Sequence, residues 1–540
     1  MRTSIGLLTG IAAIGLIACT ETIVQRAPSG DGTGTGTGTG DPAADPAASD
    51  PSLQGDPTNP DSPSPPLVSG LAITNVAIFQ AVKVPLVTDG KVVKTRNAPV
   101  VVERPAVMRV YVKPGSGYSR TEVTAELRMV DGATRLPIIK DTKAIGEESS
   151  DEDTSSTFNF EIPGTSLPKG VSYQIFLTQK GGTVQKAGTA DQARFPTSGG
   201  VQALDPEVAG KLKLVIVPVK YDADGSGRVP DTSATQLEIY KSTFMKLYAA
   251  ADVDVTVREP FPWTSTISAN GSGFSQVLNG ITNLRRSDGV GADVYYYGAL
   301  APKSSFGTFC GGGCVTGLSS LAGLKTPFMR ASVGVGFTGQ DSANTAAHEV
   351  GHAHGREHAP CGNPGGPDPD YPYSGGVIGV WGYNILTKQF ISPTRGKDMM
   401  GYCPNEWVSD YTFTALFDRI AQVNGNTATT ATGSSAGAAA AMAQVSTHGV
   451  QTYRTTFLNP DGSLEPGGTY ELAEAPDGGE LRAATFVSAT GQTLGQRDAR
   501  FYPYDHLPGG VILTPVGAKD AQIASWSGVK VSGVSQLIAR

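Results

Sequence analysis

His348-Glu349-Val350-Gly351-His352-Ala353-His354-Gly355-Arg356-Glu357-His358 is the stretch from which the fold and the chemistry are read. Its form is H-E-x-x-H-x-x-G-x-x-H, and each fixed position has a chemical reason. His348 and His352 are four apart, so on a helix they project from one face and can grip a single ion. Zn²⁺ takes imidazole nitrogen in a tetrahedral shell and, at reactive sites, keeps one position for water. Three neutral ligands leave the ion its full charge, which lowers the pKa of that water toward ~7. Glu349 follows the first ligand, where a carboxylate can take a proton from the water. Gly355 can adopt positive φ, end the helix and turn the chain so that His358 returns to the same metal. Four of the six histidines fall in this span, which fits a metal site better than a solvated helix end. His354, two residues from His352, faces away from the pair.

The motif resembles that of the metzincin metalloproteases, which also carry a methionine turn beneath the metal. Downstream, Asp398-Met399-Met400-Gly401-Tyr402-Cys403 is similar to the S-x-M-x-Y turn of astacin-like and serralysin-like enzymes, with Asp398 where serine is usual. In that register the resemblance implies Met400 as the turn methionine, a packing floor. It implies Tyr402 as the tyrosine that swings onto the metal or the oxyanion. It also implies a metzincin-like α/β catalytic domain, a mixed twisted sheet with an active-site helix, flanked here by N- and C-terminal all-β domains. In that family the last strand before the active helix is an edge that holds the substrate backbone, a role that would fall to Ala331–Phe337. The resemblance is specific over about residues 340–410.

At 540 residues the chain has room for three or so domains. A net charge of −7 with 17% charged residues argues against a nucleic-acid surface. Apart from the N-terminus, no apolar run is long enough to span a membrane. Of the five cysteines, Cys310, Cys314, Cys361 and Cys403 allow three disulfide pairings. The favoured one joins Cys310 to Cys314 across three glycines and Cys361 to Cys403, stapling both walls of the site. A zinc cluster of four thiols is the rival, but the spacing is not that of paired C-x-x-C knuckles.

In chain order, residues 1–19 read as a signal peptide: Arg2, an apolar run from Ile5 to Ala18, then Leu16-Ile17-Ala18-Cys19. That ending resembles a bacterial lipobox, which implies lipidation of Cys19 and durable anchoring. Thr20, not aspartate, follows it, which implies an outer-membrane lipoprotein of the cell envelope, facing periplasm or exterior. Residues 20–67 are a disordered linker with a reach of ~40 Å. Residues 68–199 read as a β-sandwich, 211–425 as the catalytic domain, 426–447 as a second linker and 448–540 as a small β-domain. Within the catalytic domain, Leu212–Val219 is a strand buried on both faces. The active helix is expected to start at Ser342 or Asn344 and end at Gly355. Calcium is a weaker candidate ion, at Asp368 and Asp370 or the Asp222-Ala223-Asp224 turn, where loop solvation and a plain turn are the favoured readings. His448 and His506 are isolated and read as solvated or structural.

Two functions of different class follow. One is a zinc-dependent endopeptidase, monomeric, acting on extracellular proteins or peptides, with Glu349 as general base and Tyr402 as oxyanion donor. The other is a cell-surface binding protein with a vestigial zinc site. The intact Glu349 favours the first, since a metal kept only for structure needs no base.

Overall fold

Residues 67–179, 192–426, 450–516 and 526–539 are described by the computed structural model. Cys19 with the signal segment, the linker as far as residue 66, and residues 427–449 lie outside them.

The N-terminal part is two antiparallel sheets, one of five strands built around Leu71–Phe79 and Ala106–Pro114, one of six built around Thr121–Asp131 and Ser172–Thr178. Alternation explains their packing: Val76, Ile78, Val110 and Phe160 from the first sheet meet Val123, Leu127 and Ile175 from the second in one core. The unit runs past residue 199, because Gln202–Ala203 still pairs with Ser172–Tyr173. Arg104, fully buried, donates to the carbonyls of Gln80, Met245 and Ala250 at 2.5–2.9 Å and so ties this part to the next.

The apolar strand Leu212–Tyr221 lies inside a mixed sheet, that of the expected catalytic domain, with Val253–Val257 and Val294–Leu300 parallel on either side. Ala331–Val335 adds parallel to Val294–Leu300. The expectation that this last strand is the edge is overturned. The short strand Gly317–Ser319 pairs antiparallel beyond it and is the edge itself. All five residues of Ala331–Val335 are buried, as an interior strand requires, whereas a three-residue strand leaves no periodic trace.

The active-site helix runs Gln340–Ala353 and so starts before the expected caps. Gly339, at φ 119°, precedes it, and Ser342 lies inside, donating its hydroxyl to the Phe337 carbonyl at 2.7 Å. Gly355, at φ 83°, ends the turn after it. A closing helix, Asp410–Val423, is capped by Ser409, whose hydroxyl accepts from Thr412 N at 3.1 Å.

The C-terminal part is one antiparallel sheet of seven strands. It shares a core with the catalytic sheet: Phe457, Tyr470, Tyr502, Tyr504 and Val511 pack with Val277, Ile281, Leu318 and Phe328. Asp477 accepts from the backbone nitrogens of Leu324 and Lys325 at 2.9 and 2.7 Å. Among the described residues, no helix is long and apolar enough to cross a membrane.

Candidate metal centre

Helical spacing sets His348 and His352 on one face, and the turn at Gly355 returns His358 to them. Each ring is aimed by a backbone carbonyl. His348 Nδ1 donates to Met399 O at 2.7 Å, His352 Nδ1 to Arg356 O at 2.6 Å and His358 Nδ1 to Gly365 O at 2.7 Å. A carbonyl only accepts, so each Nδ1 carries the proton and each Nε2 presents a lone pair. Burial lowers the pKa of all three, His352 to about 3, which keeps them neutral. The Nε2 atoms of His348 and His352 stand 3.0 Å apart. Two lone pairs so close repel unless a cation sits between them. A tetrahedron with bonds of ~2.1 Å has edges of roughly 3.4 Å, so the two nitrogens need only part slightly to take zinc. His354 stays out of the cluster: its ring stacks on Tyr295, centroids 3.9 Å apart, and its Nδ1 donates to Val350 O.

The floor of the site is Met400, 1% exposed. A Cβ on Gly351 would come within 2.5 Å of the Met400 sulfur, so the second variable position of H-E-x-x-H is held to glycine by the methionine turn. Asp398 has a structural role here. Its buried carboxylate accepts from Met400 N at 2.9 Å and from the nitrogen and hydroxyl of Ser409 at 2.9 and 2.5 Å, tying the turn to the closing helix. Disulfides join Cys310 to Cys314 and Cys361 to Cys403. The second links the loop after His358 to the turn that carries Tyr402, whose hydroxyl lies 3.0 Å from His358 Nε2.

Glu349 is fully buried. A Cβ on Gly317 would strike its carboxylate, so the edge strand leaves room for it only as glycine. Oε2 has no hydrogen-bond partner among the described residues, while Oε1 accepts from His506 Nε2 at 3.0 Å. Burial, then the neighbouring Asp505, pushes the carboxyl up to about 8. Glu349 and His348 line a cleft of ≈ 670 Å³ with Thr345, Tyr402, Asp505 and His506.

The reading of His506 as isolated is therefore wrong. It contacts the Tyr402 hydroxyl through Nδ1, and His348, His352, His358, Asp505 and His506 all offer ligand atoms within 4.8 Å of one another. Nothing local in the sequence flags this, because Asp505-His506 sits 147 residues beyond His358 in an unremarkable β-hairpin. The adjacent Asp and His, in a chain with few histidines, were the only signal. At the candidate calcium position, Asp368 already accepts from Arg356 and Tyr411, at 3.1 and 2.9 Å. In the Asp222–Asp224 turn, Arg228 pairs with Asp224.

A comparison with curated proteins gives no match. A family profile does match: over residues 263–417, from the strand Phe261–Trp263 into the closing helix, the chain is similar to Peptidase M66, a family of zinc metallopeptidases. The matched span contains the three histidines, Glu349 and the methionine turn, and it ends before Asp505 and His506.

Proposed function

We propose that the chain is a zinc-dependent endopeptidase acting on extracellular proteins, with His348, His352 and His358 as metal ligands and Glu349 as general base. One observation carries the reading. Three imidazoles, locked as Nδ1–H tautomers, bring their ligand nitrogens within 4.8 Å of one another beside a buried carboxylate oxygen that has no hydrogen-bond partner among the described residues. Zinc bound there supplies a Lewis acid and an activated water. Glu349 Oε2 takes the proton released in the attack and passes it to the leaving amine nitrogen. Tyr402 donates to the oxygen on which negative charge develops. The edge strand Gly317–Ser319 offers backbone groups to an extended substrate.

The catalytic unit is read as metzincin-like, on the support of the eleven-residue motif, the methionine turn and the family likeness. Attachment to the outer membrane through lipidated Cys19 belongs to the same reading, on the support of the signal sequence alone.

The test is cleavage of a quenched peptide library by zinc-loaded full-length protein and its Glu349→Gln variant. Cleavage that disappears with Glu349 while zinc stays bound is expected. Loaded protein that cuts nothing, with Asp505 present or replaced by alanine, would favour a binding protein instead.

A further inference from the structure

The turn 504–509 joins two strands of the C-terminal sheet, Thr493–Pro503 and Gly510–Pro515, and it faces the converging histidines. Its backbone adds to the edge of the catalytic sheet: Asp505 N donates to Ser319 O at 3.2 Å, and Tyr504 forms an antiparallel bridge with Ser320. An extended peptide substrate would use the same edge. The Asp505 side chain is then fixed, because Ser319 N donates to Oδ1 at 2.8 Å. Oδ2 points the other way. It lies 3.3 Å from His352 Nε2 and 2.8 Å from His506 Nε2, and the side chain is 1% exposed. The 3.3 Å separation matches the ~3.4 Å edge of a zinc tetrahedron. His506 meanwhile contacts both Glu349 and Tyr402.

We propose that Asp505 is a fourth protein ligand of the metal, delivered by the C-terminal domain, and that it holds the full chain at a low basal activity until this turn is displaced. The proposal rests on the zinc-peptidase reading above. Four protein ligands make a closed site, whereas a working hydrolytic site keeps one position open. The turn engages the metal through Asp505, and the base and the tyrosine through His506. It also lies where substrate backbone would lie, so turn and substrate exclude each other. An assisting role in turnover would require both to be present at once. The docking is firm, since Tyr502 and Tyr504 are buried in the core shared with the catalytic sheet.

The test uses full-length protein with Co²⁺ in place of zinc, as wild type, Asp505→Asn, Asp505→Ala and His506→Ala. Azide is the small competing ligand, read in the visible spectrum. Wild type and His506→Ala should not respond to azide, whereas both Asp505 variants should. Zinc loss to a chelator should rise by ~10–100-fold in Asp505→Ala, and peptide cleavage should rise by about tenfold or more as the turn loses its hold on the metal and yields more readily to substrate. Unchanged spectra and unchanged chelator resistance in the Asp505 variants would overturn the proposal while leaving the three-histidine site intact. Metal retained with cleavage lost would also overturn it, and would make the turn part of the working site. Should the variants not fold, azide titration of cobalt-loaded wild type decides alone: an immediate spectral response refutes a fourth protein ligand, and none supports it. A wild type that takes up no metal removes the zinc reading itself.

Discussion

Gly351→Ala should destabilise the protein, although helix propensity predicts the opposite. Gly351 lies inside the helix Gln340–Ala353, where alanine is favoured over glycine by ~0.8–1 kcal/mol. The added methyl would sit 2.5 Å from Met400 Sδ and 3.1 Å from its Cε. The sulfur must therefore retreat by roughly 1 Å, given ordinary carbon contacts of ~3.5–4.0 Å. Met400 is 1% exposed and its backbone is fixed by Asp398, so the retreat strains the turn that also aims His348 through Met399 O. Overpacking of this kind costs ~1–3 kcal/mol. Set against the propensity gain, the net loss should be up to about 2 kcal/mol, or a fall in melting temperature of up to ~8 °C for a unit of this size. Calorimetry of wild type, Gly351→Ala, Met400→Ala and the double variant forms a cycle. The double variant should be more stable than the sum of the two single losses predicts, by ~1 kcal/mol or more. An unchanged or raised melting temperature in Gly351→Ala, with additive energies in the cycle, would refute the account of the methionine as floor of the site.

Other expectations are simpler to state. Glu349→Gln should keep zinc and lose ~10²–10⁴-fold in cleavage, while Tyr402→Phe should lose no more than ~10²–10³-fold; a Gln variant as fast as wild type would remove Glu349 from the chemistry. Replacing Cys361 and Cys403 with serine frees the loop after His358 from the methionine turn across a sequence separation of 42. That should cost about 4 kcal/mol by loop entropy and loosen zinc, so an unchanged chelator half-life would count against the staple. Cys19→Ser should abolish fatty-acid incorporation and release the chain from the membrane; a wild type that is never acylated would refute the lipoprotein reading.

Local chemistry was legible in the sequence because its causes are local. The spacing of His348 and His352, the glycine at 355 and the short Asp398–Cys403 turn are each set by a few adjacent residues, and the structure brings all of them together. The true edge strand was not legible. Gly317–Ser319 is too short for a period, and its glycine is dictated by contact with Glu349, a long-range fact. Asp505 and His506 were invisible for a related reason. They reach the site through packing of one sheet against another, built from Tyr502, Tyr504 and Phe457 with Leu318 and Phe328. A residue pattern read along one strand carries the face that is buried, not the partner that buries it.

Metal analysis tests the central claim most directly. Protein lacking residues 1–19 should carry about one zinc per chain. His352→Ala should lose most of it, and the joint replacement of His348, His352 and His358 by alanine should lose it all. Stoichiometric zinc in that triple variant would contradict the assignment of these three histidines as the metal site.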